Sequence, residues 1–151
     1  ICERYMVDES KTELKDYKIF CFNGEPIMIQ VDFNRFKNHK RNLYDINWNY
    51  LPFAIQQPTD PNKKIRKPER LDEMLEIAKS LAKGFPHVRV DLYSVYDQIY
   101  FGEMTFYHGS GFEKFIPETY DKVLGDMLEL PQKNFNWFID ENFINTGGED
   151  V

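Results

Sequence analysis

An Asn-Gly pair between two strand-forming runs fixes the first choice of architecture. Tyr17-Lys18-Ile19-Phe20-Cys21-Phe22 is rich in strand formers, and Ile27-Met28-Ile29-Gln30-Val31-Asp32 continues the pattern beyond Asn23-Gly24. Asn-Gly favours the type I′ turn, whose twist matches that of the strands it joins, so residues 17–32 are expected to form a β-hairpin. Pro26 lacks an N–H, which places it at an edge or a non-bonded position.

A second hairpin is expected downstream. Val88-Arg89-Val90-Asp91-Leu92-Tyr93 alternates strictly, placing Val88, Val90 and Leu92 on one face and Arg89, Asp91 and Tyr93 on the other. Ile99-Tyr100-Phe101-Gly102-Glu103-Met104-Thr105-Phe106 reads as its partner after a link of about four to six residues. On uninterrupted alternation Phe101, Glu103 and Thr105 share a face. Between the hairpins, residues 69–83 carry a broad apolar helical face (Leu71, Met74, Leu75, Ile77, Ala78, Leu81, Ala82), with Pro68 before it and Gly84 after it. Together these elements predict an α+β domain with a mostly antiparallel sheet and packed helices.

Elsewhere the pattern is weaker. Residues 34–50 show no sustained period and read as a loop with at most one helical turn. Pro52, Pro58, Pro61 and Pro68 bar any regular element from crossing 52–68. Residues 117–121 open a second helix expected to run to Leu128 or Leu130. The division is therefore a domain over 1–130 and an aromatic extension over 131–151 with an acidic end.

The chain has 151 residues and a formal charge of -6, which excludes a general nucleic-acid binder. No apolar run is long enough to span a membrane, and no signal-peptide pattern opens the chain. Cys2 and Cys21 share no metal-binding spacing and fit reduced thiols in a cytoplasmic protein. Aromatic residues make up 16% of the chain, which suits a ring-built core or a face that stacks on a base or sugar. Residue 1 is Ile within a strand-like run, Ile1–Met6, from which upstream sequence is expected.

Antiparallel pairing about a centre near Asp97 sets Asp91 opposite Glu103, with Arg89 and Thr105 close by. Opposed like charges on one face need neutralising. Mg²⁺, which takes carboxylate and phosphate oxygens, is one solution. Salt bridges from Arg89 to both carboxylates are another, and a solvated hairpin face is a third.

The run from Pro86 to Tyr93, the run from Ile99 to Phe106, Gly109-Ser110-Gly111 and the stretch Asp16–Pro26 resemble the TupA-like ATP-grasp family, linked to bacterial polysaccharide and teichuronopeptide synthesis and often labelled glycosyltransferase. The resemblance implies the C-terminal subdomain of an ATP-grasp fold, with ATP and Mg²⁺ or Mn²⁺ as cofactors and a missing N-terminal half. It also implies activation of a carboxylate through an acyl-phosphate, with a carboxylate or anionic saccharide as substrate. By the same resemblance Asp91 and Glu103 are metal ligands, with Thr105 where the pattern has Asn, and Arg89 meets phosphate or the intermediate. Glu3 borders adenine, while Lys18 and Arg35 face phosphate or acceptor, Lys18 with a catalytic part. A non-catalytic module that keeps the fold and contacts an anionic sugar or polymer is the alternative.

His108 and Ser110, in and beside the glycine-rich turn, are candidate substrate contacts, with a surface histidine and a plain turn as the simpler readings. The turn lacks the phosphate-loop pattern GxxxxGK[ST]. Lys37, His39, Lys40 and Arg41 form one basic patch, and Lys63, Lys64, Arg66 and Lys67 another. Either is solvated loop charge or a contact for an anionic saccharide. Trp48, Tyr50 and Phe53 stack on a sugar ring or anchor the long loop.

Overall fold

The computed structural model describes Met6 and residues 14–130, apart from Asp97. Glu3, the strand expected over 1–6 and the aromatic extension lie outside the described residues. The fold is α+β. The strands are β1 (Asp16–Phe22), β2 (Glu25–Phe33), β3 (Lys40–Asp45), β4 (Tyr50–Leu51), β5 (Ala54–Ile55), β6 (His87–Val95), β7 (Gln98–Thr105) and β8 (Phe115–Ile116). The helices are α1 (Leu71–Ala82) and α2 (Thr119–Gly125). Six strands form one sheet in the order β4-β3-β2-β1-β6-β7, and β5 pairs with β8 in a second. Every pairing is antiparallel.

The first hairpin forms as expected, with Asn23 and Gly24 both at positive φ. The register shifts between Phe20 and Cys21, so Pro26 sits beside a bulge, where its missing donor disrupts no ladder. The second hairpin is longer than expected, since β6 reaches Val95 and β7 begins at Gln98. Its register also shifts after Asp91: Asp91 faces Glu103, but Leu92 faces Phe101. Gly102 is the extra residue. A side chain there would press to 3.0 Å from the Asp91 carbonyl oxygen, so the bulge needs glycine. Paired residues share a face, so the bulge moves Phe101 off the face that carries Glu103 and Thr105, against uninterrupted alternation.

Residues 34–50 are a loop only in part. β3 lies within them because Arg41, Asn42, Leu43 and Tyr44 are all buried, the polar ones held by hydrogen bonds. Charge on an inward face hid the strand from a hydrophobicity pattern. α2 ends at Gly125, short of Leu128.

One sheet face packs against α1. Leu71, Met74, Ala78 and Ala82 meet Tyr17, Ile19, Ile29, Val31, Val88, Val90 and Leu92 there. Each fully buried Leu or Met side chain contributes about 1.5–3 kcal/mol. The other face divides in two. At one end Phe20, Phe22, Met28 and Leu43 form a second cluster with Phe53, Ile55 and Leu124. The middle of that face is charged. Among the described residues, no helix is long and apolar enough to cross a membrane.

Candidate functional site

Register alone assembles the charged face. Lys18 of β1 pairs with Asp91 of β6, which pairs with Glu103 of β7. Arg89 and Thr105 pair in the adjoining row. Side chains two apart on a strand share a face, so Asp16 joins Lys18 and Arg89 joins Asp91.

Asp91 is 1% exposed and its oxygens are fully engaged. Arg89 donates from Nε to Oδ1 at 2.7 Å and from Nη2 to Oδ2 at 2.9 Å. Lys18 Nζ reaches Oδ2 at 2.5 Å and Asp16 Oδ2 at the same distance. Arg89 Nη2 also lies 3.1 Å from Glu103 Oε1 and from Thr105 Oγ1. Thr105 Oγ1 donates to Glu103 Oε1 at 3.1 Å. One guanidinium thus bridges the two opposed carboxylates, the second of the neutralising arrangements anticipated from sequence.

The electrostatics follow from this packing. Burial would lower the pKa of Arg89, but hydrogen bonds and charge from Asp91 outweigh it and raise it. The hydrogen bond from Thr105 lowers Glu103 against a smaller opposing effect of burial, with Arg89 adding to it. Asp16 is raised because burial outweighs Lys18.

The expected residues therefore fall in three places. Lys18, Arg89, Asp91, Glu103 and Thr105 form one cluster, and Arg35 stands at its rim with Nη1 3.6 Å from Asp16 Oδ2. His108 belongs to a separate chain of charges. Its Nδ1 is 2.6 Å from Glu113 Oε2, and Arg41 Nη1 donates to Glu113 Oε1 at 2.9 Å. Arg41 Nε then donates to Asp32 Oδ1 at 2.8 Å. Burial would raise Glu113, but the bonds from His108 and Arg41 hold it down at about 2. Arg41 is thus buried in an ion-pair chain and does not belong to a surface basic patch. Ser110 is exposed in a 3-10 turn over His108–Gly111 and takes no part in either cluster. Gly109 is required beside it, because a Cβ there would lie 2.1 Å from the Glu113 side chain. Trp48 stacks on Tyr44 with centroids 4.4 Å apart, and its Nε1 donates to the Ile65 carbonyl at 3.2 Å, anchoring the long loop. Phe53 stacks on Tyr120 at 4.0 Å.

Sequence reading passed over Asp16, Asp32 and Glu113. The i, i+2 pairs Asp16/Lys18 on β1 and Gln30/Asp32 on β2 carried the signal for a polar inward face.

The donor set suits a hard cation. Glu103 and Thr105 offer only oxygen, whereas both Asp91 oxygens are already taken by Arg89 and Lys18, and Asp16 Oδ1 and Gln30 Oε1 are buried acceptors without a hydrogen-bond partner on the same face. Among the described residues no three His, Cys, Asp or Glu gather to hold a metal, so phosphate and water oxygens would have to complete an octahedral shell, as is usual for Mg²⁺. Glu103 is the accessible carboxylate of the cluster, with a side chain 62% exposed.

The model of one family, TupA-like ATPgrasp, matches residues 1–129. No curated protein matches the chain. No solved structure matches it.

Proposed function

The chain belongs to the TupA-like ATPgrasp family, and from that premise we propose that the charged sheet face is the phosphate-facing wall of an ATP-dependent, ligase-like site. The observation that carries this reading is the bridge formed by Arg89 Nη2 between Asp91 and Glu103, with Thr105 beside it. It places fixed positive charge next to a solvent-reaching carboxylate, as phosphoryl transfer requires.

In this reading a carboxylate substrate takes the terminal phosphoryl group of ATP. ADP leaves, and an incoming nucleophile then attacks the acyl carbon of the resulting acyl-phosphate and displaces inorganic phosphate. Lys18 and Arg89 hold positive charge toward the phosphate oxygens. Asp16 and Asp91 fix those two side chains so that little reorganisation is needed as negative charge develops. Mg²⁺ or Mn²⁺, met by Glu103 and the Thr105 hydroxyl, would supply charge neutralisation at the phosphates, while Asp91, taken up by Arg89 and Lys18, orients those two cations instead of holding the metal. Arg35 adds a cation at the rim, and substrate contact is assigned to His108 and Ser110, which lie outside the charged cluster. A role in bacterial surface polysaccharide synthesis, with a carboxylate or anionic saccharide as substrate and a cytoplasmic location, completes the proposal.

The test is titration with ATP, with and without Mg²⁺, followed by calorimetry. Tighter binding with Mg²⁺, lost in Glu103→Gln, supports the reading. Equal binding in both proteins overturns it.

One observation favours a second reading, in which the domain binds an anionic sugar or polymer without catalysis. A cleft of about 320 Å³ on another part of the surface is lined by Trp48, Tyr50, Lys63 and Lys64, which combine stacking faces with positive charge. Binding of an anionic oligosaccharide that is lost in Lys63→Ala/Lys64→Ala, without any response to Mg·ATP, would select it.

A further inference from the structure

A pocket of about 140 Å³ lies between the main sheet and α2, at the apolar end of the face that carries the charged cluster. Phe20, Phe22 and Met28 line it from the sheet, Phe115 from β8, and Leu124 and Leu128 from α2 and the residues after it. The odd member of the lining is Asp121. Asp121, Leu124 and Gly125 follow the i, i+3, i+4 spacing of one helical stripe. Leu124 holds that stripe against the core and is itself buried. An aspartate thus stands where the amphipathic pattern calls for an apolar residue.

Nothing around the pocket answers that charge. Among the described residues the Asp121 carboxylate has no ion pair or hydrogen bond. The lysine of α2, Lys122, is committed to Asp126, with Nζ 2.7 Å from Oδ2. No Lys or Arg is among the described residues that line the pocket. Two histidines are, but neither supplies a free cation. Burial, with His108 adding to it, lowers the His87 pKa to about 4, so that ring is neutral at pH 7. His108 Nδ1 lies 2.6 Å from Glu113 Oε2, so a proton carried there is matched by that carboxylate. Asp121 is exposed and therefore stands at the mouth of the pocket. The apolar walls keep water from one side of it, which strengthens its pull on a cation.

We propose that this pocket binds a small organic ammonium, whose apolar group enters between the sheet and α2 and whose N–H₃⁺ donates to Asp121 at the mouth. The volume is close to that of an apolar cavity that accepts benzene, so a single ring or a short alkyl chain is the size that fits. Gly125 helps to keep the space open, since no atom lies within 4 Å of where its Cβ would stand. The site uses no residue of the charged cluster, so binding requires neither ATP nor Mg²⁺ and stands apart from the ATP-dependent reading.

Benzylamine is the probe, with toluene and benzyl alcohol as controls. All three carry one phenyl ring, and only benzylamine is a cation at pH 7. Methyl-13C-methionine NMR of the full chain reads the site directly. Met28 lines the pocket, and Met74, buried on the opposite sheet face, is the internal reference. Benzylamine is expected to shift the Met28 methyl saturably, to bind more tightly than either control, and to leave Met74 still. Asp121→Asn should weaken benzylamine about fivefold, the upper worth of an exposed ion pair, and leave toluene unchanged. Asp121→Leu should reverse the preference, so that toluene binds more tightly than benzylamine. Gly125→Phe, directed into open space, should abolish the response while the Met74 methyl and the β1 amides stay in place. A Met28 shift that does not saturate, equal affinity for benzyl alcohol, or an unchanged affinity in Asp121→Asn would each overturn the proposal. So would Met28 and Met74 moving together.

Discussion

Asp91→Asn separates the structural part of the charged face from the part that meets ligand. Asp91 is buried and accepts from Lys18 and twice from Arg89. Asparagine keeps one acceptor oxygen but turns an amide N–H₂ toward one of the two cations. Hydrogen bonds to charged groups contribute about 1.5–3 kcal/mol each, and breaking a buried pair costs about 3–5 kcal/mol. Lys18 retains Asp16 and Arg89 retains Glu103, which offsets part of the loss. The expected destabilisation is therefore about 3 kcal/mol. Glu103→Gln, on an exposed side chain, should cost less than about 1 kcal/mol. Urea unfolding of the three proteins measures both quantities. If Asp91→Asn costs under about 1 kcal/mol, or raises stability as relief of like-charge repulsion would, the ion-pair network is not what holds this face together.

Other outcomes follow from the same geometry. His87 has a folded pKa of about 4 against 6.5 for the free side chain, so the unfolded chain binds the extra proton and stability is lost as pH falls from about 6.5 to about 4. The full contribution is about 3 kcal/mol, and urea midpoints against pH should flatten over that window in His87→Phe. Glu113, held at about 2, contributes stability that is present above its ordinary pKa and lost on acidifying toward 2, so a further fall below pH 4.5 should be absent in Glu113→Gln. Gly102→Ala meets the Asp91 carbonyl oxygen and the Tyr93 ring, and should cost about 1–3 kcal/mol by urea unfolding. The Cys21 thiol is fully buried, and burial pushes it up to about 12. Mass spectrometry of a thiol-reagent reaction should find the Cys21 peptide modified only after unfolding.

The parts of the fold legible in sequence were those where burial and apolarity coincide. The α1 face obeys that rule, whereas the Asn23-Gly24 turn was legible from its turn chemistry and the pairing of Asp91 with Glu103 from strand alternation about the second turn. β3 did not, because Arg41 and Asn42 are inward and satisfied by Asp32, Glu113 and the Asp60 carbonyl, so its burial left no hydrophobic trace. The bulge at Gly102 was also hidden. A single glycine in a strand marks close backbone approach only once its partner strand is known. The candidate site was legible as a pair of residue types on one hairpin. Lys18 entered the site only through the family resemblance, and Asp16 only through the β1–β6 pairing, which no local pattern specifies.

The most direct test of the charged face is paramagnetic. Mn²⁺ broadens NMR signals near it, so a titration with trace Mn²⁺ in excess ATP maps the site without relying on turnover. The amide signals of Asp91, Glu103 and Thr105 are expected to broaden first, only when ATP is present, and much less in Glu103→Gln. Broadening that begins elsewhere, or that is the same without ATP, would contradict a phosphate- and metal-facing role for this sheet face.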